Sequence, residues 1–353
     1  MALTGADRAH LERCLELAER GRRTAAPNPV VGAVVVRYGR VVGEGWHERP
    51  GGDHAEVAAL RDAGDAAGAT VYVNLEPCSH HGRTPPCAEA LIEAGVARVV
   101  ISMIDPTDKV NGAGVARLGE AGIPVEIAGG DAERRARRAN AGWLTLALRG
   151  RPHVTYKAAL SADGRTAAAG AGPRWISSDE SRALVHEMRA ESGAVMIGSG
   201  TALADDPLLT ARDCEPAAGR QPLRVVLDRR GRLPAASQLV RTASEEAPVL
   251  VVRAPGGGGI VAPHVEVLEC DGPEEALREL GRRRIAWVLL EGGATVATAL
   301  LDAGLVDRVA VFEAPVELGP GPGLFSREVA LPRVAEERRI GADMLRIFEI
   351  QEP

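Results

Sequence analysis

Three potential metal ligands in the first half of the chain restrict its fold more than any other feature. His54 lies in the tripeptide HAE (54–56), Cys78 ends the tripeptide EPC (76–78), and Cys87 follows after eight further residues. One His and two Cys thiolates fit a zinc site, and three protein ligands leave the fourth position to water. HAE opens a predicted helix and EPC follows a predicted strand, so these two elements must lie side by side if all three residues bind one ion.

The first of these motifs also contains a carboxylate, Glu56, that is suited to proton transfer. Removing an amine from a pyrimidine ring at neutral pH requires a hydroxide, and zinc supplies it by lowering the pKa of bound water to about 7. A carboxylate that stays off the metal can carry the water proton to the ring nitrogen and then to the leaving ammonia. We therefore assign His54, Cys78 and Cys87 to Zn²⁺ and Glu56 to catalysis, which predicts a zinc-dependent deaminase.

Two other interpretations of this pattern remain open. His80 and His81 are rival ligands, and a site that used them would close the coordination sphere and become structural. The chain would then be a zinc-stabilised scaffold without enzymatic activity, although such a site has no use for Glu56. The second alternative is an RNA adenosine or cytidine deaminase. The net charge of −6 opposes it, because an acidic protein has little attraction for phosphate backbones.

The length of the chain predicts two domains. Its 353 residues, with 45% hydrophobic content, exceed one ordinary core. Predicted helices and strands alternate in the first half, which is typical of an α/β layered domain. Gly150 and Pro152 interrupt this alternation, and a second α/β set follows. We predict one domain over 1–148 and a different one over 149–353, because no internal repeat relates them.

Local patterns predict several individual elements. Two valine-rich runs joined by a Tyr-Gly turn indicate a β-hairpin within 30–46. A single basic-faced helix is expected over 131–148. In the second half, Ser178 is a candidate N-cap for a helix over 178–190. A strand that contains LLEGG runs into a helix at 294–303, where main-chain N–H groups could cradle a pyrophosphate.

The cysteine content and the absence of targeting signals predict a cytoplasmic protein. Five cysteines form an odd and sparse set that does not suggest a disulfide framework. The N-terminus has no basic region followed by an apolar run, and no apolar stretch is long enough to span a bilayer. We therefore expect a homo-oligomer that acts on a small molecule and has neither a nucleic-acid nor a membrane partner.

Beyond these motifs, the chain resembles one family over nearly its whole length, the bifunctional riboflavin-biosynthesis deaminase–reductases. The resemblance lies in PNPVVGAVVV, HAEVAAL, LEPCSHHGRTPPCAEALI and ISMIDP in the first half, and in KAALSADGRTA, RWISS, GTALADDPLLTAR and LEGGAT in the second. The eight residues between Cys78 and Cys87 also distinguish it from most nucleoside and RNA-editing deaminases, which have PCxxC. The resemblance implies an α/β fold class, with a cytidine-deaminase-like three-layer domain followed by a dihydrofolate-reductase-like domain.

For the first domain, the resemblance implies loss of the 2-amino group from 2,5-diamino-6-(ribosylamino)-pyrimidinone 5′-phosphate. By motif match, Asn28 and His47 would line the pyrimidine and ribose pocket, and Arg83 would hold the substrate phosphate. The segment DPTDKVNGAG departs from the family pattern, which has Asn-Pro after DP. Within it, Asp105 and Asn111 are the residues expected in the pocket.

For the second domain, the resemblance implies NADPH-dependent reduction of the ribosyl side chain to ribityl. Lys157 and Asp163 would face the same cleft without an assigned role, and Pro173 replaces a polar residue often found before the Arg-Trp pair. Two sets of residues carry over by motif. The dinucleotide would meet Ala159, Trp175, Thr201, Asp205, Gly293, Ala294 and Thr295, and the substrate would meet Arg189, Leu209, Arg212 and Glu291.

Overall fold

The chain divides into two compact units after Arg149. The computed structural model describes residues 3–79, 86–168, 175–214, 219–256 and 260–352. Four residues singled out by sequence lie outside these ranges, namely His80, His81, Arg83 and Pro173. In the ranges that are described, no helix is long and apolar enough to cross a membrane.

The first unit is a sheet flanked by helices. In its described residues the sheet has the order β2-β1-β3-β4-β5, with β1 antiparallel to both neighbours and the remaining pairs parallel. The strands are β1 (Gly32–Arg37), β2 (Arg40–Trp46), β3 (Thr70–Val73), β4 (Arg98–Ile101) and β5 (Val125–Ile127). The helices are α1 (Gly5–Glu19), α2 (Ala55–Ala63), α3 (Cys87–Glu93), α4 (Ala113–Glu120), α5 (Gly130–Ala139) and α6 (Ala141–Arg149).

Two glycines in β2 allow α2 to pack directly on the strand. A Cβ atom on Gly43 would lie 2.4 Å from the carbonyl oxygen of Ala59, and one on Gly45 would lie 2.4 Å from the nitrogen of the same residue. Any side chain at either position would push the helix away from the sheet. This close contact therefore sets the position of α2, which begins next to His54 and carries Glu56 in its first turn.

The prediction of a single helix over 131–148 is wrong, because a buried asparagine divides it. Asn140 lies between α5 and α6 and is 1% exposed. Its side-chain oxygen accepts a hydrogen bond from the N–H of Val30 at 2.8 Å, and its amide donates to the Val30 carbonyl at 3.1 Å. The same amide also donates to the Ala136 carbonyl at 3.2 Å, and this local bond competes with the helix's own hydrogen bonds, as asparagine side chains commonly do. The bonds to Val30 hold the side chain in this position.

The second unit contains a larger, mostly parallel sheet. Among the described residues its order is β10-β9-β8-β7-β11-β6-β12-β14-β13, and only the last two pairings are antiparallel. The strands are β6 (His153–Ser161), β7 (Ala194–Gly198), β8 (Leu223–Leu227), β9 (Val249–Arg253), β10 (Val265–Glu269), β11 (Trp287–Leu290), β12 (Arg308–Ala314), β13 (Glu336–Ile340) and β14 (Asp343–Glu349). The helices are α7 (Asp179–Glu191), α8 (Ser199–Asp205), α9 (Gln238–Arg241), α10 (Pro273–Arg282) and α11 (Ala294–Asp302).

The direction in which the chain adds strands reverses between β7 and β11, and a crevice is expected at the carboxyl ends of these two strands. After β7 the next strand of the chain is β8, which lies toward the β10 edge of the sheet. After β11 the chain passes through α11 to β12, which lies toward the β13 edge. Ligands of open α/β sheets bind at such reversals, outside the carboxyl ends of the strands. The segments that begin at Ser199 and Glu291 border this crevice.

Candidate active sites

The three potential zinc ligands converge in the first unit. Their ligand atoms lie within 4.8 Å of one another. The Nδ1 atom of His54 is 3.1 Å from the sulfur of Cys87 and 3.5 Å from the sulfur of Cys78. A tetrahedral zinc ion with bonds of about 2.0–2.3 Å separates its ligand atoms by roughly 3.5 Å. The cluster therefore fits zinc, with Nδ1 as the imidazole ligand.

The ends of secondary-structure elements position these ligands. His54 is the N-cap of α2, Cys87 is the first residue of α3, and Cys78 lies in the segment that follows β3. The main-chain N–H of Cys87 points toward the sulfur of Cys78, at 3.4 Å. The main chain around each ligand is therefore held by neighbouring elements, which fixes the direction in which each ligand side chain points.

The two thiols shift each other's pKa. A hydrogen bond from Cys87 is the largest influence that lowers the pKa of Cys78, and His54 lowers it further. The same hydrogen bond, in which Cys87 donates its proton to the Cys78 sulfur, raises the pKa of Cys87. A cation placed between the sulfurs would displace that proton, as metal binding to thiols generally does. The donor chemistry of the cluster therefore suits a metal ion.

Glu56 lies beside the cluster without belonging to it. Its side chain is buried, and the whole residue is 4% exposed. Burial raises the pKa of the carboxyl group to about 7, and the group also shares a hydrogen bond with Cys87. A carboxyl group with this pKa gains and loses a proton readily at neutral pH, which is what general acid–base catalysis requires.

Asn28 and His47 form a hydrogen-bonded pair next to the metal cluster. The Nδ1 atom of His47 is 2.9 Å from the carbonyl oxygen of Asp53, and its Nε2 atom is 3.1 Å from the side-chain nitrogen of Asn28. Because the carbonyl can only accept, Nδ1 donates and Nε2 accepts from Asn28. Burial lowers the pKa of His47, consistent with this neutral form. The ring of His47 packs edge-on to that of His54, with centroids 5.4 Å apart.

Asp105 and Asn111 lie in a segment held by a residue that sequence reasoning missed. The carboxylate of Asp105 accepts hydrogen bonds from the N–H and hydroxyl of Thr107 at 2.8 and 2.6 Å. Asn111 is exposed and has a left-handed backbone, with φ of 37°. The main chain of this segment is bonded to Glu76, the first residue of EPC. The sequence offered one signal, a glutamate adjacent to a metal-ligand motif without an assigned function.

In the second unit, two predicted substrate residues bind each other. The guanidinium group of Arg189 donates to both carboxylate oxygens of Glu291, at 2.5 and 2.8 Å. Burial by itself would raise the pKa of Glu291, but the charges of Arg189 and Lys157 lower it overall, so this carboxylate is ionised. Burial lowers the pKa of Lys157. These three side chains form a charged cluster at the carboxyl end of the sheet.

Four of the residues predicted to meet the dinucleotide lie beside the crevice between β7 and β11. The main-chain N–H of Gly293, the N-cap of α11, donates to the hydroxyl of Thr201 at 3.2 Å. No side chain among the described residues caps α11. Ala294 and Thr295 form its first turn, where free N–H groups favour an anion such as a pyrophosphate. The arrangement fits a dinucleotide cofactor.

The remaining predicted cofactor residues lie on other elements of the second unit. Ala159 is in β6, where it pairs with Phe312 of β12. Asp205 is exposed at the end of α8. Trp175 is 57% exposed, and the guanidinium carbon of Arg182 lies 5.4 Å from its ring centroid.

Arg212 and Leu209 occupy a segment that a second unpredicted residue supports. The Nδ1 atom of His186 accepts a hydrogen bond from the main-chain N–H of Arg212 at 3.2 Å, and its Nε2 atom is 3.3 Å from the Arg212 guanidinium. Leu209 is buried with a left-handed backbone, φ 57°, which is strained for a side chain of this kind. His186 lies one helical turn before Arg189, a spacing that could have identified it.

Asp163, whose role the sequence left open, holds a loop. Its carboxylate accepts hydrogen bonds from the N–H groups of Leu318 and Gly319 at 3.1 and 2.8 Å, and from the hydroxyl of Ser161 at 2.6 Å. These bonds lower the pKa of Asp163 to about 2, with the Ser161 bond as the largest cause. The geometry therefore supports a structural role for this residue.

Comparison with known proteins gives matches to both halves of the chain. Residues 5–103 match the family model of the cytidine and deoxycytidylate deaminase zinc-binding region, and residues 152–345 match that of the RibD C-terminal domain. The riboflavin biosynthesis protein RibD of Escherichia coli is 43% identical, covering 89% of each chain. RibD of Aquifex aeolicus is 38% identical, covering 97% of this chain and 98% of its own.

Solved structures show the same similarity along the chain. One form of Acinetobacter baumannii RibD has a TM-score of 0.85 at 40% identity and covers 98% of this chain and 99% of its own. A Thermotoga maritima diaminohydroxyphosphoribosylaminopyrimidine deaminase/5-amino-6-(5-phosphoribosylamino)uracil reductase has a TM-score of 0.86 at 36% identity, with 98% of each chain covered.

Proposed function

We propose, from the premise that this chain belongs to the RibD family of riboflavin-biosynthesis proteins, that residues 1–148 carry a deaminase and residues 149–353 a reductase. The chain is a bifunctional enzyme that uses zinc and NADPH, and the family confirms the predicted fold class and both cofactors. It deaminates 2,5-diamino-6-(ribosylamino)-4(3H)-pyrimidinone 5′-phosphate and then reduces the ribosyl side chain to ribityl.

The deaminase assignment depends on one observation, the convergence of His54, Cys78 and Cys87 beside a buried carboxylate. Zinc, when bound by these three residues, supplies a nucleophilic oxygen at neutral pH by lowering the pKa of water. Glu56 takes the proton from the attacking water and gives it to the ring nitrogen. Glu56 then takes the second proton, from the hydroxyl group now on C2, and delivers it to the amine, which leaves as ammonia when its bond to C2 breaks; a carboxyl group with a pKa near 7 suits both transfers.

Five residues would bind the deaminase substrate, and one of them, Arg83, lies outside the described ranges. The pair of His47 and Asn28 would hold the pyrimidine and ribose, because His47 packs against the ligand His54 and orients the Asn28 amide, whose oxygen can accept a hydrogen bond. Asp105 and Asn111 would form another wall of the pocket. Arg83 would bind the phosphate.

The reductase assignment depends on the charged cluster and the crevice between β7 and β11. NADPH, when bound, would supply a hydride for C1′ of the ring-opened sugar imine, and the imine nitrogen would take a proton from solvent. The N-terminus of α11 would bind the pyrophosphate. The dinucleotide would also contact Thr201, Asp205, Trp175 and Ala159. The substrate would contact Glu291, Arg189 and Leu209, with its phosphate near Arg212, since a guanidinium fork fits phosphate oxygens.

The substrate of the enzyme is a small phosphorylated pyrimidine, and we propose a cytoplasmic homo-oligomer without a nucleic-acid partner. The net charge of −6 supports the last point. Titration with tRNA at low salt tests it, and a tight complex would contradict it.

Mass spectrometry of the product tests both activities together. Without NADPH the substrate should gain about one mass unit, because an oxo group replaces an amine. With NADPH it should gain about two more, because a hydride and a proton are added. A product that is unchanged under both conditions would refute the proposed function.

The two reactions should be separable. Stripping the metal should stop ammonia release, whereas the protein should still oxidise NADPH when it is given the deaminated substrate, because hydride transfer needs only the nicotinamide and a positioned imine. Loss of both activities in a protein that remains folded would contradict the two-site assignment.

The converse variant is Arg212→Ala. It should lower NADPH consumption at least about tenfold, because charge-assisted hydrogen bonds to the substrate phosphate are lost, and it should spare ammonia release. Arg241→Ala, on an exposed helical arginine of the same unit, is the matched control. Equal effects of the two substitutions would show that Arg212 is only a surface charge.

A further inference from the structure

Among the described residues near the zinc ligands, the carboxylate of Glu76 accepts the most hydrogen bonds. It is 4% exposed and lies two residues before Cys78. One oxygen accepts from the N–H groups of Asp105 at 3.1 Å and Gly112 at 3.0 Å. The other accepts from the N–H groups of Gly114 at 2.9 Å and Val115 at 3.1 Å. Four main-chain groups of one segment, 105–115, therefore converge on a single side chain.

The backbone conformation of this segment would be unfavourable in free energy without contacts from the rest of the unit. Asn111 and Gly112 are both left-handed, with φ of 37° and 87°. The N-cap of α4 is Gly112, which has no side chain to cap the helix. Glu76 instead binds the N–H groups of Gly114 and Val115 in the first turn, where the positive end of the helix favours a negative charge. The conformation of 105–115 is thus imposed from outside.

A second contact fixes the segment against the metal-ligand motif. Gly114 lies so close to the main chain of Pro77 that a Cβ atom at this position would be 1.8 Å from the Pro77 carbonyl oxygen. Pro77 is adjacent to Cys78. The carboxylate and the glycine contact together join 105–115 to the backbone that carries a zinc ligand.

We propose that Glu76 is a positioning residue of the deaminase, which sets the pocket wall at 105–112 in register with the zinc ligands. This inference rests on the proposed function, because it takes Asp105 and Asn111 as residues of the substrate pocket. A glutamine cannot replace the glutamate, because its NH₂ group would face two N–H donors where the structure requires an acceptor. Glu76 acts on substrate binding through the main chain and does not touch the reacting atoms.

Glu76→Gln in the full-length zinc enzyme tests the proposal. We expect normal zinc content and a kcat within about threefold of the wild type, whereas the KM for the deaminase substrate should rise at least about tenfold. A raised KM with an unchanged kcat is expected when the lost interaction stabilised the bound substrate and the transition state equally. Hydrogen–deuterium exchange should accelerate in 105–115. Oxidation of NADPH with the deaminated substrate should be unchanged, which verifies that the second unit is intact.

The matched control is Glu89→Gln. Glu89 in α3 also binds α4, through Arg117 at 2.7 and 3.0 Å, and Arg117 lies in the last turn of that helix. Its KM should match the wild type. If Glu76→Gln does not fold, Gly114→Ala carries the test, since it retains the carboxylate yet forces the helix away from Pro77, and it should raise KM similarly.

Two results would overturn the proposal. An unchanged KM with wild-type exchange in 105–115 would show that the four hydrogen bonds are dispensable. Zinc loss in proportion to activity, with a normal KM in the zinc-loaded fraction, would show that Glu76 supports Cys78 instead of the pocket wall. Failure of the proposed function is distinguishable from both, because the wild-type enzyme would then release no ammonia.

Discussion

Replacing Glu56 with glutamine is expected to leave zinc bound and to lower deaminase turnover at least about a hundredfold. The substitution keeps the size and polarity of a buried side chain in the first turn of α2. It removes the only property that the mechanism uses, the ability to take a proton from the attacking water and give it up again. Because Glu56 serves several transfers in one turnover, its loss affects more than one step. Metal analysis and ammonia release on the same sample measure the two quantities.

The exposed Glu48 provides the matched control for this experiment. Glu48→Gln makes the same chemical change in the same unit, at a solvent-exposed position, and should leave turnover unchanged. Near-normal turnover in Glu56→Gln would show that the carboxylate is incidental to the chemistry. Loss of zinc in that variant would instead indicate that Glu56 is needed to hold the metal, contrary to its assignment as a group that stays off the ion.

Cys87→Ser is expected to remove most of the zinc and to abolish deamination. A serine hydroxyl is not ionised at neutral pH and is a poor zinc ligand, whereas Cys87 lies 3.1 Å from the His54 nitrogen in a position to bind the same ion. Loss of conserved outer-shell partners alone typically costs about 10–100-fold in affinity, so loss of a direct ligand should cost more. NADPH oxidation with the deaminated substrate should persist.

Cys214→Ser is the control for Cys87→Ser. Cys214 lies in the second unit, where its thiol donates to the carbonyl oxygen of His186 at 3.4 Å, a bond that a serine hydroxyl can also make. Zinc content and ammonia release should both remain normal. Full zinc occupancy in Cys87→Ser would refute Cys87 as a ligand and would favour His80 or His81.

Short motifs supported the sequence-based prediction of the deaminase site. HAE and EPC are local patterns in which the spacing of residue types matches the chemistry, and the structure brings His54, Cys78 and Cys87 within 4.8 Å. Local rules also predicted the helix after Ser178, whose hydroxyl accepts from the N–H of Ser181, and the hairpin of β1 and β2. A pattern that is complete within a few residues needs no knowledge of distant partners.

Elements with weak local patterns were harder to predict. The antiparallel strands β13 and β14 were not identified, because the charged run of β13 shows no burial on either face. The helix over 131–148 was predicted as continuous because its interruption at Asn140 depends on Val30, more than a hundred positions away. Sequence periodicity reports how one element faces a core, but it does not report which polar group will compete for its main chain.

The sequence by itself determined the chemistry of this protein, namely which residue types could bind zinc, move a proton and contact a phosphorylated substrate. Only the tertiary structure decided how those residues are held. The four hydrogen bonds of Glu76 come from residues 29 to 39 positions away, and Arg189 meets Glu291 across 102 positions. Each pairing depends on where the backbone of a distant segment lies after folding. Such contacts leave no spacing or periodicity in the chain, because the partners become neighbours only when the sheets and helices pack.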